Sequence, residues 1–295
     1  MPASGDAYAE AAAAELAPYH QPFADAGLVI RPRPWDLAWD LAGDLAGDLW
    51  PGDAAATLAL FAWGYHTQVD RWLAMLRNWP AGSPLLNPPD LLLWNTRKPY
   101  LAELAAKGIA IVPSLFCDAD SAAITAAFDH FGVQCLVIKP QISAGSYQTQ
   151  RISREMTPDF LPPDFLAPNF LANAIIQPFV ASVGDEGELS IFFIGGTFSH
   201  AARKVAQQGE FRVQPQFGGV FTPLVPGAEI MAVAQAVIAA LPTAPLYARV
   251  DLLRLADGSL ALIELEAIEP DLYPGIDPAV PARLAAAVVA AINNP

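Results

Sequence analysis

LYARVDLLRLADGSLALIELEAIEP, residues 246–270, decides the reading of the chain. Two apolar runs alternate on either side of Asp257-Gly258, a dipeptide suited to a tight hairpin turn. The turn folds 247–255 onto 260–267. Glu264 and Glu266 share one face of their strand, because successive side chains alternate between faces. The hairpin brings Asp251 near them. Three carboxylates among Leu262, Ile263 and Leu265 are costly unless a cation neutralises them. Hard oxygen ligands on rigid strands suit Mg²⁺. The competing reading is a solvated strand face.

A second stretch, LVIKPQISAGSYQTQRI (136–152), runs from an apolar strand through Lys139 and Pro140 into a small-residue loop. Backbone N–H groups of Ser143, Ala144, Gly145 and Ser146 can turn inward and hold phosphate oxygens. Lys139 reaches the same oxygens as a point charge. The pattern is not GxxxxGK[ST], which the chain lacks. A structural lysine at a strand end is the plainer alternative.

Further cations are Lys98, Lys204, Arg212 and Arg249. Arg249 precedes Asp251 by two residues, so both point to one face. A cation beside metal-binding carboxylates makes sense if phosphate lies between them. Each alone reads equally as a surface charge. Together with the carboxylates and the small-residue loop, they read as a site for Mg²⁺ and a nucleoside triphosphate. In QPFV, Gln177, Pro178, Phe179 and Val180 follow an apolar strand and offer backbone groups to an adenine edge. Glu188, at the next strand start, suits ribose hydroxyls.

Composition sets the bounds. The 295 residues suit two or three subdomains and a sizeable core. Apolar residues make up 54% and charged ones 16%, which excludes a disordered chain. The net charge of −14 disfavours nucleic acid, whose phosphates need Lys and Arg. No apolar run is long enough to span a membrane. The Ala-rich start lacks the basic region and apolar core of a signal peptide. Cys117 and Cys135 have no disulfide or zinc spacing, so a reduced cytoplasm is expected. A homo-oligomer is compatible with all of this.

Residues 8–26 read as a helix broken at Pro18 and stopped at Gly27, and 28–31 as a short strand. Asp36, Asp40, Asp44 and Asp48 repeat every four residues. Gly43 and Gly47 weaken a helix there, so a solvated connector is expected rather than a metal ladder. An apolar run at 56–66, a helical spacing at 66–79 and a turn, helix and strand over 84–114 predict a parallel α/β unit. No strand is legible before its first helix. Beyond 115 the chain reads as helix (118–132), strand, loop and strand (135–153), then Pro-rich turns (156–173) and a strand (174–180). A hairpin turned at Gly195-Gly196, a helix at 229–242, the hairpin at Asp257-Gly258 and a closing helix follow.

The ordered set IKP–SAGS, IIQPFV, GELSIFF, FSHAARK, FRVQ, RVDLL and LIELEAIEP resembles the ATP-grasp superfamily, near prokaryotic glutathione synthetase and the ribosomal-S6-modifying ligases. Residues 87–114 with QPFV, FSHA and ELEAIEP resemble the D-cycloserine biosynthesis cyclo-ligase group, which acts on O-ureido-D-serine. The likeness covers roughly 57–275. It implies an α/β chain, in detail α+β. A parallel N-terminal unit (1–113) would precede two α+β subdomains (114–181 and 182–295) that clamp ATP. It implies that Lys98, Lys139 and the 143–146 loop contact ATP phosphates, 177–180 the adenine, and Glu188 the ribose. Asp251, Glu264 and Glu266 would hold Mg²⁺, with Mn²⁺ able to substitute. Arg212, Arg249 and Lys204 would act on the transferring phosphoryl group. Glu264-Leu-Glu266 departs from the usual Glu-x-Asn of the superfamily.

The implied activity is ATP-dependent joining of carboxylate and amine through an acyl-phosphate, with ring closure inside one small amino-acid-like molecule. An intermolecular amino-acid ligase and a non-catalytic nucleotide-binding protein are the competing readings. His66 and His200 are candidate bases, with packing roles as the alternative. The seven tryptophans scatter over helices and strands, which fits packing better than a carbohydrate surface.

Overall fold

The computed structural model of the chain describes residues 1–2, 5–36, 54–156 and 172–294. Asp40, Asp44, Asp48 and most of the Pro-rich stretch 156–173 lie outside them. The Ala-rich start forms α1 (Ala9–Leu16) and α2 (His20–Asp25), joined by a 3-10 turn at Ala17–Tyr19. Pro18 lies in that turn, because it has no N–H for a helix interior. Residues 28–31 are not a strand. Leu28 and Ile30 instead pack on a cluster that holds Phe23 and Leu284, so their alternation serves packing rather than pairing.

Of the expected strand at 56–66, only Thr57–Leu58 (β1) pairs, in parallel, with Leu85–Leu86 (β2). Gly64, with φ +85°, then opens a 3-10 turn at Tyr65–Thr67. Helices α3 (Val69–Arg77), α4 (Pro89–Thr96) and α5 (Tyr100–Ala106) follow. The strand expected near 109–114 is reduced to one parallel bridge, Ile111 to Leu262. The next strand is β3 (Leu115–Cys117).

Asp120 caps α6 (Ser121–Phe131) by accepting the Ala123 N–H. Strands β4 (Cys135–Pro140), β5 (Gln150–Ser153) and β6 (Ala174–Pro178) join β3 in an antiparallel sheet of order β3-β6-β4-β5. A second sheet follows, of order β11-β10-β7-β8-β9. Its strands are β7 (Glu188–Ile194), β8 (Thr197–Val205), β9 (Val220–Pro223), β10 (Tyr247–Arg254) and β11 (Leu260–Glu266). Gly195 and Gly196 turn β7 into β8 with φ of +59° and +75°, values that a two-residue hairpin requires. Helix α7 (Ala228–Ala239) covers one face, against Ile191, Val250 and Leu262. Helix α8 (Val280–Asn293) covers the other, against Phe192, Ile194 and Tyr247. Period-two alternation along β7 thus feeds two cores.

The N-terminal unit seals the outer edge of β11. Asn95 gives its amide N–H to Leu265 O (2.9 Å) and accepts from Ala267 N (2.8 Å). Tyr100 Oη exchanges bonds with the backbone of Leu265 (3.0 and 2.9 Å). Asn87, at φ +64°, binds Tyr247 O, Ala267 O and Leu246 N. An open strand edge carries unpaired N–H and C=O groups; here side chains fill them. This docking sets Lys98, between Asn95 and Tyr100 in sequence, against β11.

Candidate functional site

The two sheets and the turn at 65–67 enclose a cleft of about 640 Å³. The residues expected to hold the nucleotide, the metal and the transferring phosphoryl group line it: Lys98, Lys139, 143–146, 177–180, Glu188, Lys204, Arg212, Arg249, Asp251, Glu264 and Glu266. They come from segments up to 168 residues apart in sequence, Lys98 to Glu266.

At one end is the small-residue loop. Lys98 Nζ donates to Ser143 O (2.8 Å) and Oγ (3.2 Å), and Gln216 Nε2 donates to Gly145 O (3.3 Å). Ser146 and Gln148 take φ of +61° and +54°. Left-handed backbone costs a non-glycine residue roughly 1–3 kcal/mol and persists where surrounding contacts impose it. Lys139, on β4, is only 7% exposed. Its ammonium has no hydrogen bond or ion pair among the described residues, and it faces the cleft. Burial lowers its pKa, with Glu264 acting in the opposite direction.

The centre is the hairpin. Asp251 pairs in register with Glu264, and Arg249 with Glu266. Among the described residues no group of three or more His, Cys, Asp or Glu is gathered as for a metal ion. Each carboxylate is instead turned onto a cation. Asp251 accepts from Arg249 Nε (3.0 Å), Lys204 Nζ (3.2 Å) and Ser190 Oγ. Glu264 meets Lys98 at 3.1 Å, Glu266 meets Arg249, and Glu188 meets Lys204. Burial would raise the Asp251 and Glu264 carboxyls, but Arg249 and Lys204 on one, and Lys98 and Lys139 on the other, pull both below the usual range. Glu266 goes the other way. Burial pushes it to about 7, with Arg249 offsetting only part. Burial and Glu266 together push Glu269 well above the usual range.

The other end is apolar. Val183, Leu253 and Ile263 pack with Phe179 and Val180. The expectation of a backbone free to meet an adenine edge needs correcting at one point: the Phe179 N–H is spent on Cys135 O (3.0 Å). Gln177 likewise gives its side-chain N–H to Ser114 Oγ (2.8 Å). Gly187 precedes Glu188 with φ +84°, and a Cβ there would run into the Lys204 carbonyl. Only glycine lets β7 start that close to β8. Arg212 lies 3.6 Å over the Phe217 ring and is held by Glu210 at 2.7 Å.

The sequence reading missed Val137, Val183, Leu253 and Ile263 at the apolar end, and Glu269, Asp271 and Tyr273 beyond β11. Apolar wall residues carry no motif. Glu269 breaks the period-two pattern of the glutamates before it, because β11 ends at Glu266. Of the two candidate bases, His66 lines the cleft. His200 does not. It stacks on Phe192 at 4.1 Å and bonds Leu272 O at 2.9 Å, a packing role.

Among the described residues the cleft has six carboxylates (Glu188, Asp251, Glu264, Glu266, Glu269, Asp271) and five cations (Lys98, Lys139, Lys204, Arg212, Arg249). Lys139 meets no anion among the described residues, and burial holds Glu266 and Glu269 above the usual carboxylate range, so both would ionise fully only against a further cation. A divalent metal with a polyphosphate brings both missing partners, so the residues fit Mg²⁺ and a nucleoside triphosphate.

No family model matches the chain. The cycloserine biosynthesis protein DcsG of Streptomyces lavendulae is 31% identical over 227 residues, covering 71% of this chain and 74% of that protein. The crystal structure of D-cycloserine synthetase DcsG superposes with a TM-score of 0.83, at 24% identity over 97% of both chains. The ATP-grasp ligase PsnB, in complex with its minimal precursor, Mg and ADP, superposes with a TM-score of 0.53, at 21% identity over 76% of this chain and 68% of that one.

Proposed function

The chain belongs to the family of the cycloserine biosynthesis protein DcsG, among the ATP-grasp ligases, and from that premise we propose that it closes a ring within an O-ureido-D-serine-like substrate. It is an ATP-dependent ligase that joins carboxylate to amine. The observation that carries the assignment of the nucleotide is Lys139, a buried ammonium with no hydrogen bond or ion pair among the described residues, lining the cleft beside the 143–146 loop.

Lys98, Lys139 and 143–146 would hold the phosphates. The apolar end with 177–180 would take the adenine, and Glu188 the ribose. Asp251, Glu264 and Glu266 would hold Mg²⁺, and this all-oxygen donor set also suits Mn²⁺. Bound Mg-ATP would supply the phosphoryl group that activates the substrate carboxylate as an acyl-phosphate, from which the attacking nitrogen displaces phosphate. The protein's part is positioning and charge neutralisation. Arg249 and Lys204, held on Asp251, would set positive charge where the carboxylate is activated. Arg212, clamped by Glu210 and Phe217, covers the cleft from the side of 211–217. The loop at 143–149 and residues 65–66 line the cleft and would limit water at the reacting carbon. No helix of the described residues is long and apolar enough to cross a membrane. We infer a cytoplasmic enzyme from the free thiols of Cys117 and Cys135.

The test is ADP release from Mg-ATP with O-ureido-D-serine as sole added substrate, beside amino acids singly and in pairs. Turnover with the ureido compound alone is expected. Turnover only with pairs would make the enzyme an intermolecular ligase.

A further inference from the structure

His66 lines the cleft but has no part in the site described so far. It lies in the turn Tyr65–Thr67. Its ring is 5.1 Å from that of Tyr147, the residue after the 143–146 loop. Both ring nitrogens are shut off from solvent, and neither has a hydrogen-bond partner among the described residues. Its neighbour Tyr65 packs in one cluster with Ala144 and Ile142 from the loop and Ile268 from the chain leaving β11. The turn therefore stands between the phosphate loop and the end of the carboxylate strand, where a substrate carboxylate must lie to be activated.

Each unmet buried polar group costs about 1–3 kcal/mol. A fold keeps such a cost where a ligand relieves it. Burial, and secondarily Lys98, lowers the His66 pKa to about 4. At neutral pH the ring is uncharged, with one N–H donor and one lone-pair acceptor. Lys98 and Lys139 already face the polyphosphate. The remaining anionic group of the reaction is the carboxylate of the second substrate.

We propose that His66 binds the non-nucleotide substrate, its ring turning to bring one of the now occluded nitrogens, as an N–H, onto the carboxylate that is to be activated. The second ring nitrogen stays an acceptor, which suits a substrate rich in N–H groups, as an amino acid derivative is. His66 is then a binding residue for that carboxylate. The inference rests on the ligase reading above.

Two variants test it. His66→Phe keeps a ring against Tyr147 and removes both nitrogens. His66→Gln restores a donor and an acceptor. With O-ureido-D-serine, the Phe variant is expected to lose about 10- to 100-fold in kcat/KM, mainly through KM. The Gln variant should recover most of it. The Kd of Mg-ATP, by direct titration, should stay within about twofold of wild type in both, since neither variant touches Lys98 or Lys139. An unchanged kcat/KM in the Phe variant overturns the proposal. So does an equal loss of Mg-ATP affinity, which would assign the ring to the nucleotide. Wild-type protein that binds no Mg-ATP would instead count against the ligase reading. If wild type does not turn over the ureido compound, the same variants are read by equilibrium binding of that compound and the amino-acid panel, with and without a non-hydrolysable ATP analogue. Binding weakened by Phe and restored by Gln supports the role of His66; equal or absent binding overturns it.

Discussion

Lys98 stands 3.1 Å from Glu264 while its ammonium also binds the carbonyl of Ser143 at 2.8 Å. One cation thus ties the phosphate loop to the carboxylate strand. Removing it as Lys98→Met leaves Glu264 with less compensation and frees the loop. We expect a loss of about 3 kcal/mol in stability, from denaturant unfolding. The double variant Lys98→Met/Glu264→Gln should lose clearly less than the sum of the singles. Additive losses would mean the pair is not coupled.

Lys139→Ala removes a buried ammonium that has no hydrogen bond or ion pair among the described residues. ADP release should fall by about 100-fold or more, while the melting temperature holds or rises. Normal turnover would remove the phosphate role of the loop and its lysine.

Glu264→Gln keeps the shape of the side chain and deletes one charge. Activity and Mg²⁺ dependence should be lost together, with kcat down by about 100-fold. An active variant that still needs Mg²⁺ would move the metal site elsewhere.

Asn95→Leu leaves Ala267 N without its side-chain partner at the edge of β11, while Leu265 O keeps the Tyr100 hydroxyl. One unmet backbone group predicts a loss of about 1–3 kcal/mol. Thermal unfolding gives the value. No change would mean water enters that edge.

His200 has a folded-state pKa lowered to about 4, chiefly by burial. Its unfolded value is near 6.5. Between these values the unfolded chain holds a proton that the folded chain does not, so this group makes stability rise with pH and fall on acidification through 6.5 towards 4. His200→Gln should flatten the stability–pH curve in that window relative to wild type. An unchanged slope would show that the imidazole is charged in the fold.

Much of the site was legible because its parts are local. Period-two alternation and Asp257-Gly258 dictate the hairpin, and the hairpin alone sets Asp251 opposite Glu264. A lysine ending an apolar strand before Ser-Ala-Gly-Ser is likewise a short-range pattern. The errors share one cause. Residues 28–31 and 109–114 alternate like strands, but pairing needs a partner at the right distance, and the chain offers 28–31 only a packing surface.

The sequence by itself determined the hairpins, the small-residue loop and the residue types that hold charge, since these depend on neighbours within about ten positions. Only the tertiary structure decided which charges meet. It set Asn95 and Tyr100 against β11, put Lys98 between Ser143 and Glu264, turned the carboxylates onto cations and left the nitrogens of Lys139 and His66 without hydrogen-bond partners among the described residues. Those relations join segments far apart in the chain. Electrostatic and hydrogen-bond energies at such a site depend on distances and burial that no local pattern contains.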